Sequence, residues 1–260
     1  MVVGSLVGLA RFNSFQVGTY GDDAHYIVLA EALASGRGYR LINYPAARSE
    51  WAFPPGWPLL LAPLAGLFPG NYQVLKLLSF LLWLASIPLL HRLLEKRIGT
   101  PVLQIATALT VLNPNVLSVS GMVMSEAAYL FFSLLTLWLF DLWSSHQGKR
   151  KSWLLLLACT AAALYTQLVR TVGLSIVLAV IAYLLLSRRF RAAAIVAVVS
   201  CSGMLPQLWL NSRSGGSLVS AGYEAQVFGK PIITKIGQVW ANLGAYSTGI
   251  LANALIPVFG

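Results

Sequence analysis

Charge is what this sequence has least of. Only 10% of its 260 residues are Asp, Glu, Lys or Arg, while 57% are hydrophobic; a soluble domain carries about 25% charged residues. So little polar surface excludes a water-soluble fold of this size, and the main solvent must be lipid. Cysteine is nearly missing as well. Cys159 and Cys201 both lie inside apolar runs, where they read as small hydrophobic residues and not as a disulfide or metal pair. The three histidines are scattered without metal-ligand spacing. Basic residues are the exception, and the net charge is +10. In a soluble protein that would point to nucleic acid. Here the charges fall in short clusters between apolar runs, a pattern that orients membrane helices and implies no nucleic-acid partner.

What the sequence does have is long apolar stretches. A spanning helix needs about 20 residues, and runs near that length occupy 72–93, 101–120, 124–144, 152–169, 171–187 and 190–210. The stretch 1–15 is apolar but short and interrupted by Arg11, so it reads as part of a first span. Residues 241–260 turn apolar again up to Gly260. These two ends predict one transmembrane domain over 1–260 that is incomplete at both termini.

Orientation follows from the short connections. Arg92, Lys96 and Arg97, then Lys149, Arg150 and Lys151, then Arg188, Arg189 and Arg191 give nine basic residues on one side, against Arg170 alone on the other. The positive-inside rule places the first set in the cytoplasm. The expected protein is therefore multi-pass, in the plasma (inner) membrane of a cell with an envelope. Segments 16–71 and 211–240, richer in Gly, Pro, Ser and Asn, become extracytoplasmic loops. No internal repeat is evident.

Several polar groups gather on that expected outer side. The first loop opens Gly21-Asp22-Asp23-Ala24-His25-Tyr26. Asp22 suits an N-cap, acidic residues suit a helix N-terminus, and Tyr26, Leu29, Ala30 and Leu33 form one stripe before Gly36 stops the helix. Asp22 and His25, three apart, can share a face. A capped surface helix on a wet loop accounts for the same residues without any chemistry. Next, Trp51, Phe53 and Trp57 flank Pro54-Pro55-Gly56 before a short apolar run, which reads as an interfacial helix entered through an extended Pro-Pro step. Glu126 opens the third run, where a carboxylate is costly unless wet or paired; as a helix N-terminal acid it also favours the dipole. Arg170 stands where two short spans meet and can bind an anion, pair with Glu126 or snorkel. Lys76 and Arg213 have the same two readings, anion ligand or snorkelling side chain. Carboxylates and cations thus converge on one membrane face, the pattern of a site holding both a base and phosphate-binding cations.

The order of these features resembles the GT-C glycosyltransferases, in particular the protein O-mannosyltransferases and lipid A aminoarabinose transferases. The resembling residues are the acidic pair in Asp22-Asp23-Ala24-His25-Tyr26, the step Pro54-Pro55-Gly56-Trp57-Pro58-Leu59, and Ser125-Glu126. Arg170 with Gly173, and Trp209 with Arg213 and Gly215, complete the series. The resemblance covers about residues 11–230. Asp23 stands where the family commonly has Glu, and family members continue with further spans. The resemblance implies an all-α, polytopic transmembrane helix bundle of GT-C type with a helical first extracytoplasmic loop. It implies transfer of a hexosyl or pentosyl group from a polyprenyl-phosphate-linked donor to a glycan, lipid or protein acceptor outside the cytoplasm.

On that reading Asp22 and Asp23 are the catalytic acids, with Asp22 as the base. His25, Tyr26, Lys76, Glu126, Arg170 and Arg213 bind substrate. No cofactor is required, since the phosphate leaving group needs cations more than an acid; paired carboxylates could still hold a divalent metal. A transporter or flippase for a lipid-linked anionic solute would use the same cations, and a non-catalytic lipid-binding paralogue would keep the fold without the chemistry.

Overall fold

A computed structural model describes residues 6, 8–10, 12, 16–47, 49, 53–146, 152–213 and 231–255. Helices follow in the order α1 (Asp22–Ala34), α2 (Gly56–Leu67), α3 (Tyr72–Leu94), α4 (Thr100–Val111), α5 (Pro114–Ser120), α6 (Glu126–Ser145) and α7 (Ser152–Val169). A 3-10 turn (Thr171–Gly173) then leads into α8 (Leu174–Leu186), α9 (Phe190–Arg213) and α10 (Ile232–Leu255). The protein is all-α, and among the described residues β pairing is confined to one bridge between Arg40 and Ser49.

Three helices, α3, α6 and α7, are long and apolar enough to cross a membrane. The apolar parts of α4, α8 and α9 are shorter. The run 101–120, expected as one span, is instead two helices separated at Leu112 and Asn113. Proline explains the break: the ring of Pro114 removes a backbone donor and disfavours helix at the residue before it. Asn113 then caps the new start, its Oδ1 accepting from Val116 N at 3.4 Å.

The composition of 211–240 predicts an extracytoplasmic loop. Residues 211–213 instead finish α9, 232–240 open α10, and 214–230 lie outside the described residues. Residues 241–255, expected to begin a span, continue α10. The expected apolar first span at 1–15 falls mostly outside the described residues.

The long helices pack as a bundle, α6 against both α3 and α7, with α8 and α9 closing against α7. The loop helices α1 and α2 pack on each other, and α2 also packs on α3 and α7. One apolar core joins these parts: Tyr26 and Ile27 of α1, Trp57 and Leu61 of α2, Leu75 of α3 and Val169 of α7. Trp57 is fully buried, and its Nε1 donates to the Val123 carbonyl at 3.3 Å. It is therefore a core residue and not the headgroup anchor that its sequence neighbourhood predicts. Trp51 lies outside the described residues.

Charge divides between the two ends of α6. Glu126 opens the helix and Asp141 stands near its close, with no charged residue between them. Fifteen residues of helix place them about 22 Å apart. Asp141 pairs with Lys96 and Arg97 at 3.2 and 3.3 Å.

Candidate functional site

At the Glu126 end, the acidic pair opens α1. Gly21, with φ of 78°, is the N-cap and Asp22 the first helical residue. The capping role expected of Asp22 is thus taken by a glycine in a left-handed conformation, and no side chain caps the helix. Both acids sit in the first turn, where the helix dipole favours negative charge.

The two carboxylates differ sharply in environment. Asp22 is exposed, whereas Asp23 is 3% exposed. Asp23 Oδ2 accepts from Gly18 N at 2.7 Å and so fastens the preceding turn. Its Oδ1 is buried without a hydrogen-bond partner. Lys76, 5% exposed on the second turn of α3, lies within the field of the Asp23 carboxylate. Burial sets Lys76 apart from a snorkelling lysine, whose ammonium would reach water.

Tyr26 links this group to the next. Its hydroxyl shares a 3.1 Å hydrogen bond with Ser125 Oγ. Arg170 Nη1 donates to the same oxygen at 3.3 Å and also to Glu126 Oε1, forming an ion pair. Arg170, Glu126 and Asp22 all act electrostatically on the Tyr26 phenol. Burial pushes that phenol above its ordinary pKa, outweighing the hydrogen bond from Ser125 and the charge of Arg170, which pull it down. Tyr26 therefore keeps its proton at neutral pH. His25 turns elsewhere: its Nδ1 donates to the Gly21 carbonyl at 2.9 Å, and its ring stacks on Phe53 at 5.1 Å. Its hydrogen-bond partner is the backbone, not Asp22.

Two glycines bring the elements this close. A Cβ on Gly173 would meet the Thr166 carbonyl oxygen at 2.5 Å, so only glycine lets the chain fold back tightly after α7. Arg170 sits in extended conformation at that fold, with φ of −147°, and Gly173 N donates to its carbonyl at 2.8 Å. A Cβ on Gly56 would meet the backbone of Leu168 and Val169 at 2.6–2.7 Å. The Pro-Pro-Gly step thus serves to seat α2 against the end of α7, where Tyr165 Oη donates to the Gly56 carbonyl at 2.9 Å.

Of the residues expected at the site, Tyr26, Glu126 and Arg170 are joined through Ser125; Asp22 acts on Tyr26 and Asp23 on Lys76 electrostatically, and His25 lies beside them on α1. The side chain of Arg213 lies outside the described residues. Ser125 enters the sequence reading only through the Ser125-Glu126 step and with no site role, though it is the fully buried hydroxyl that joins Tyr26 to Arg170. It also passed over Gln167, 2% exposed with both amide atoms unpartnered, one turn before Arg170. The available signal was a polar side chain near the end of an apolar run, three residues before a cation. Glu126 Oε2 and Ser79 Oγ are likewise buried without partners. Each such atom carries a desolvation cost of about 1–3 kcal/mol. Among the described residues no three His, Cys, Asp or Glu side chains gather in a metal-binding group. Comparison with protein-family models, curated proteins and solved structures yields no match.

Proposed function

We propose that this protein is a membrane glycosyltransferase of GT-C type. It would move a sugar from a polyprenyl-phosphate carrier to an acceptor on the extracytoplasmic side of the membrane. The observation that carries the reading is the joined group Tyr26, Ser125, Glu126 and Arg170 at one end of a helix bundle, with Asp22 and Asp23 one turn away on α1 and Lys76 in the field of Asp23. That end holds exposed and buried carboxylates beside cations, with partnerless buried oxygens on Asp23 and Glu126. The opposite end holds Lys96 and Arg97 beside Asp141, and Arg189 over the Trp143 ring, which supports an extracytoplasmic placement of the site.

The chemistry needs two things, and both are present. As the acceptor oxygen bonds to the anomeric carbon, the bond from that carbon to the carrier phosphate breaks. The phosphate leaves as an anion, and Arg170 stabilises the growing charge. The proton of the acceptor hydroxyl passes to a carboxylate. Asp22 is the more accessible of the pair and takes the role of base; Asp23, tied to Gly18 N, positions α1 and its first turn. Such base assistance is worth about 10²–10⁴ in rate.

The test uses membranes containing the full-length protein and a labelled polyprenyl-phosphate sugar. Product formation, lowered about 100-fold or more by Asp22→Asn with membrane insertion unchanged, is the expected result. Carrier movement between leaflets without product would assign the site to a flippase. Binding of carrier with neither product nor movement would make the chain a non-catalytic lipid binder.

A further inference from the structure

Between α1 and α2 the chain builds a groove that the proposed chemistry does not use. An open groove of 590 Å³ is lined by Arg37, Arg40, Asn43 and Tyr44, with Ile42 and Pro45 between them. Small-molecule sites typically occupy about 300–1,000 Å³. The segment is held in shape from behind. Leu41 is 7% exposed, and Tyr39 Oη donates to the Phe53 carbonyl at 2.8 Å. The Arg40–Ser49 bridge closes the loop, and successive turns bond Tyr44 N to Leu41 O at 3.3 Å and Ala47 N to Tyr44 O at 2.9 Å. Anchoring residues 39 and 41 inward leaves Arg40 facing out, as alternation along an extended chain requires.

The exposed side chains carry a specific chemistry. Arg37 Nε donates to Ser35 Oγ at 3.0 Å, which fixes the guanidinium and leaves its terminal amino groups for another acceptor. Neither Arg37 nor Arg40 has an ionic partner among the described residues. Two guanidinium forks suit an oxyanion. Tyr44, half exposed, offers a ring face, and Asn43 offers an amide donor and acceptor. An anion alone needs only the arginines; ring face and amide together suit a sugar.

We propose that this groove binds an acidic saccharide, its carboxylate on Arg37 and Arg40 and its ring against Tyr44. On the glycosyltransferase reading, on which this part rests, the saccharide belongs to the acceptor. Arg37 lies about one length of α1, or 20 Å, from Asp22. The groove then recognises the acceptor remotely, and Tyr39 and Phe53 tie it to His25 and Tyr26 on α1.

The experiment measures binding to the full-length protein in neutral-lipid nanodiscs, so it does not depend on turnover. The probes are a uronic-acid disaccharide, the same disaccharide with its carboxyls reduced, and inorganic phosphate. The acidic disaccharide is expected to bind at least tenfold tighter than either other probe. Arg37→Ala with Arg40→Ala should weaken it at least tenfold, and Tyr44→Ala should weaken it without a change in phosphate binding. Equal binding of the acidic and reduced disaccharides would overturn the proposal. So would phosphate binding as tightly as the acidic disaccharide, which would mark a simple anion site. If the arginine variant loses its folded signal in near-UV circular dichroism, Arg37→Gln with Arg40→Gln takes its place under the same criteria. Asp22→Asn should keep full binding. Binding without transfer would therefore refute only the enzyme, and transfer without binding only the groove.

Discussion

Asp22 and Asp23 are neighbours in sequence and opposites in environment. A helix turns about 100° per residue, so packing one carboxylate inward leaves the other facing water. Their substitutions should separate accordingly. Asp22→Asn is expected to lose transfer while keeping its thermal midpoint. Asp23→Asn should also lower stability, by about 1.5–3 kcal/mol, because the charge beside buried Lys76 and the tie to Gly18 N weaken together; thermal unfolding in detergent compares the two. Equal midpoints would remove Asp23 from its positioning role. Tyr26 gives a pH expectation. Its folded pKa is raised, so its contribution to stability is complete below the unfolded value of about 10 and is lost only as pH climbs through the folded one. Stability between pH 7 and 9 should therefore be the same in Tyr26→Phe and wild type apart from a constant offset of about 0.5–1.5 kcal/mol. The Glu126–Arg170 pair is about one-third exposed on each side and should couple by no more than about 1 kcal/mol of stability. Arg170→Ala is nonetheless expected to abolish transfer, measured with the labelled donor, because its work is on the leaving phosphate.

At the scale of elements, glycines and prolines decide where helices end and how closely they meet. Gly173→Ala and Gly56→Ala place a Cβ against fixed backbone and should each cost about 1–3 kcal/mol. Gly203 makes a control. Its Cβ would also come too close, but to the flexible side chain of Leu164. Gly203→Ala should therefore shift the thermal midpoint less than Gly173→Ala, and the reverse order would show that the turn after α7 is not the tight element described. The helix pattern was legible in the apolar runs: α3, α6 and α7 begin and end within about two residues of the predicted stretches. The break at Asn113 was missed because hydropathy continues across it while the backbone does not.

Across the bundle α3–α9 and the loop helices packed on it, the described Glu126–Arg170 and Asp141–Lys96–Arg97 pairs sit at opposite ends of α6. On the proposed orientation the α1 end faces outward and the Lys96–Arg97–Asp141 trio faces the cytoplasm. Thr19→Cys and Glu95→Cys, each in a Cys201→Ser background, test it. A membrane-impermeant maleimide should label position 19 in intact cells and position 95 only after permeabilisation. Labelling of both from the same side would overturn the arrangement. The native Cys159 is fully buried and should stay silent.

The sequence alone determined the helical class and the three apolar stretches long enough to cross a membrane. Those follow from composition and run length, which are properties of the chain itself. Tertiary structure decided which acid is buried and which exposed, that Trp57 is core, and that Ser125 bridges Tyr26 to Arg170. It also decided that two arginines no motif singled out line one groove. The physical reason is common to all four. Burial and hydrogen bonding depend on which helix face meets which neighbour, and contacts such as Tyr26–Ser125 join residues 99 apart in the chain.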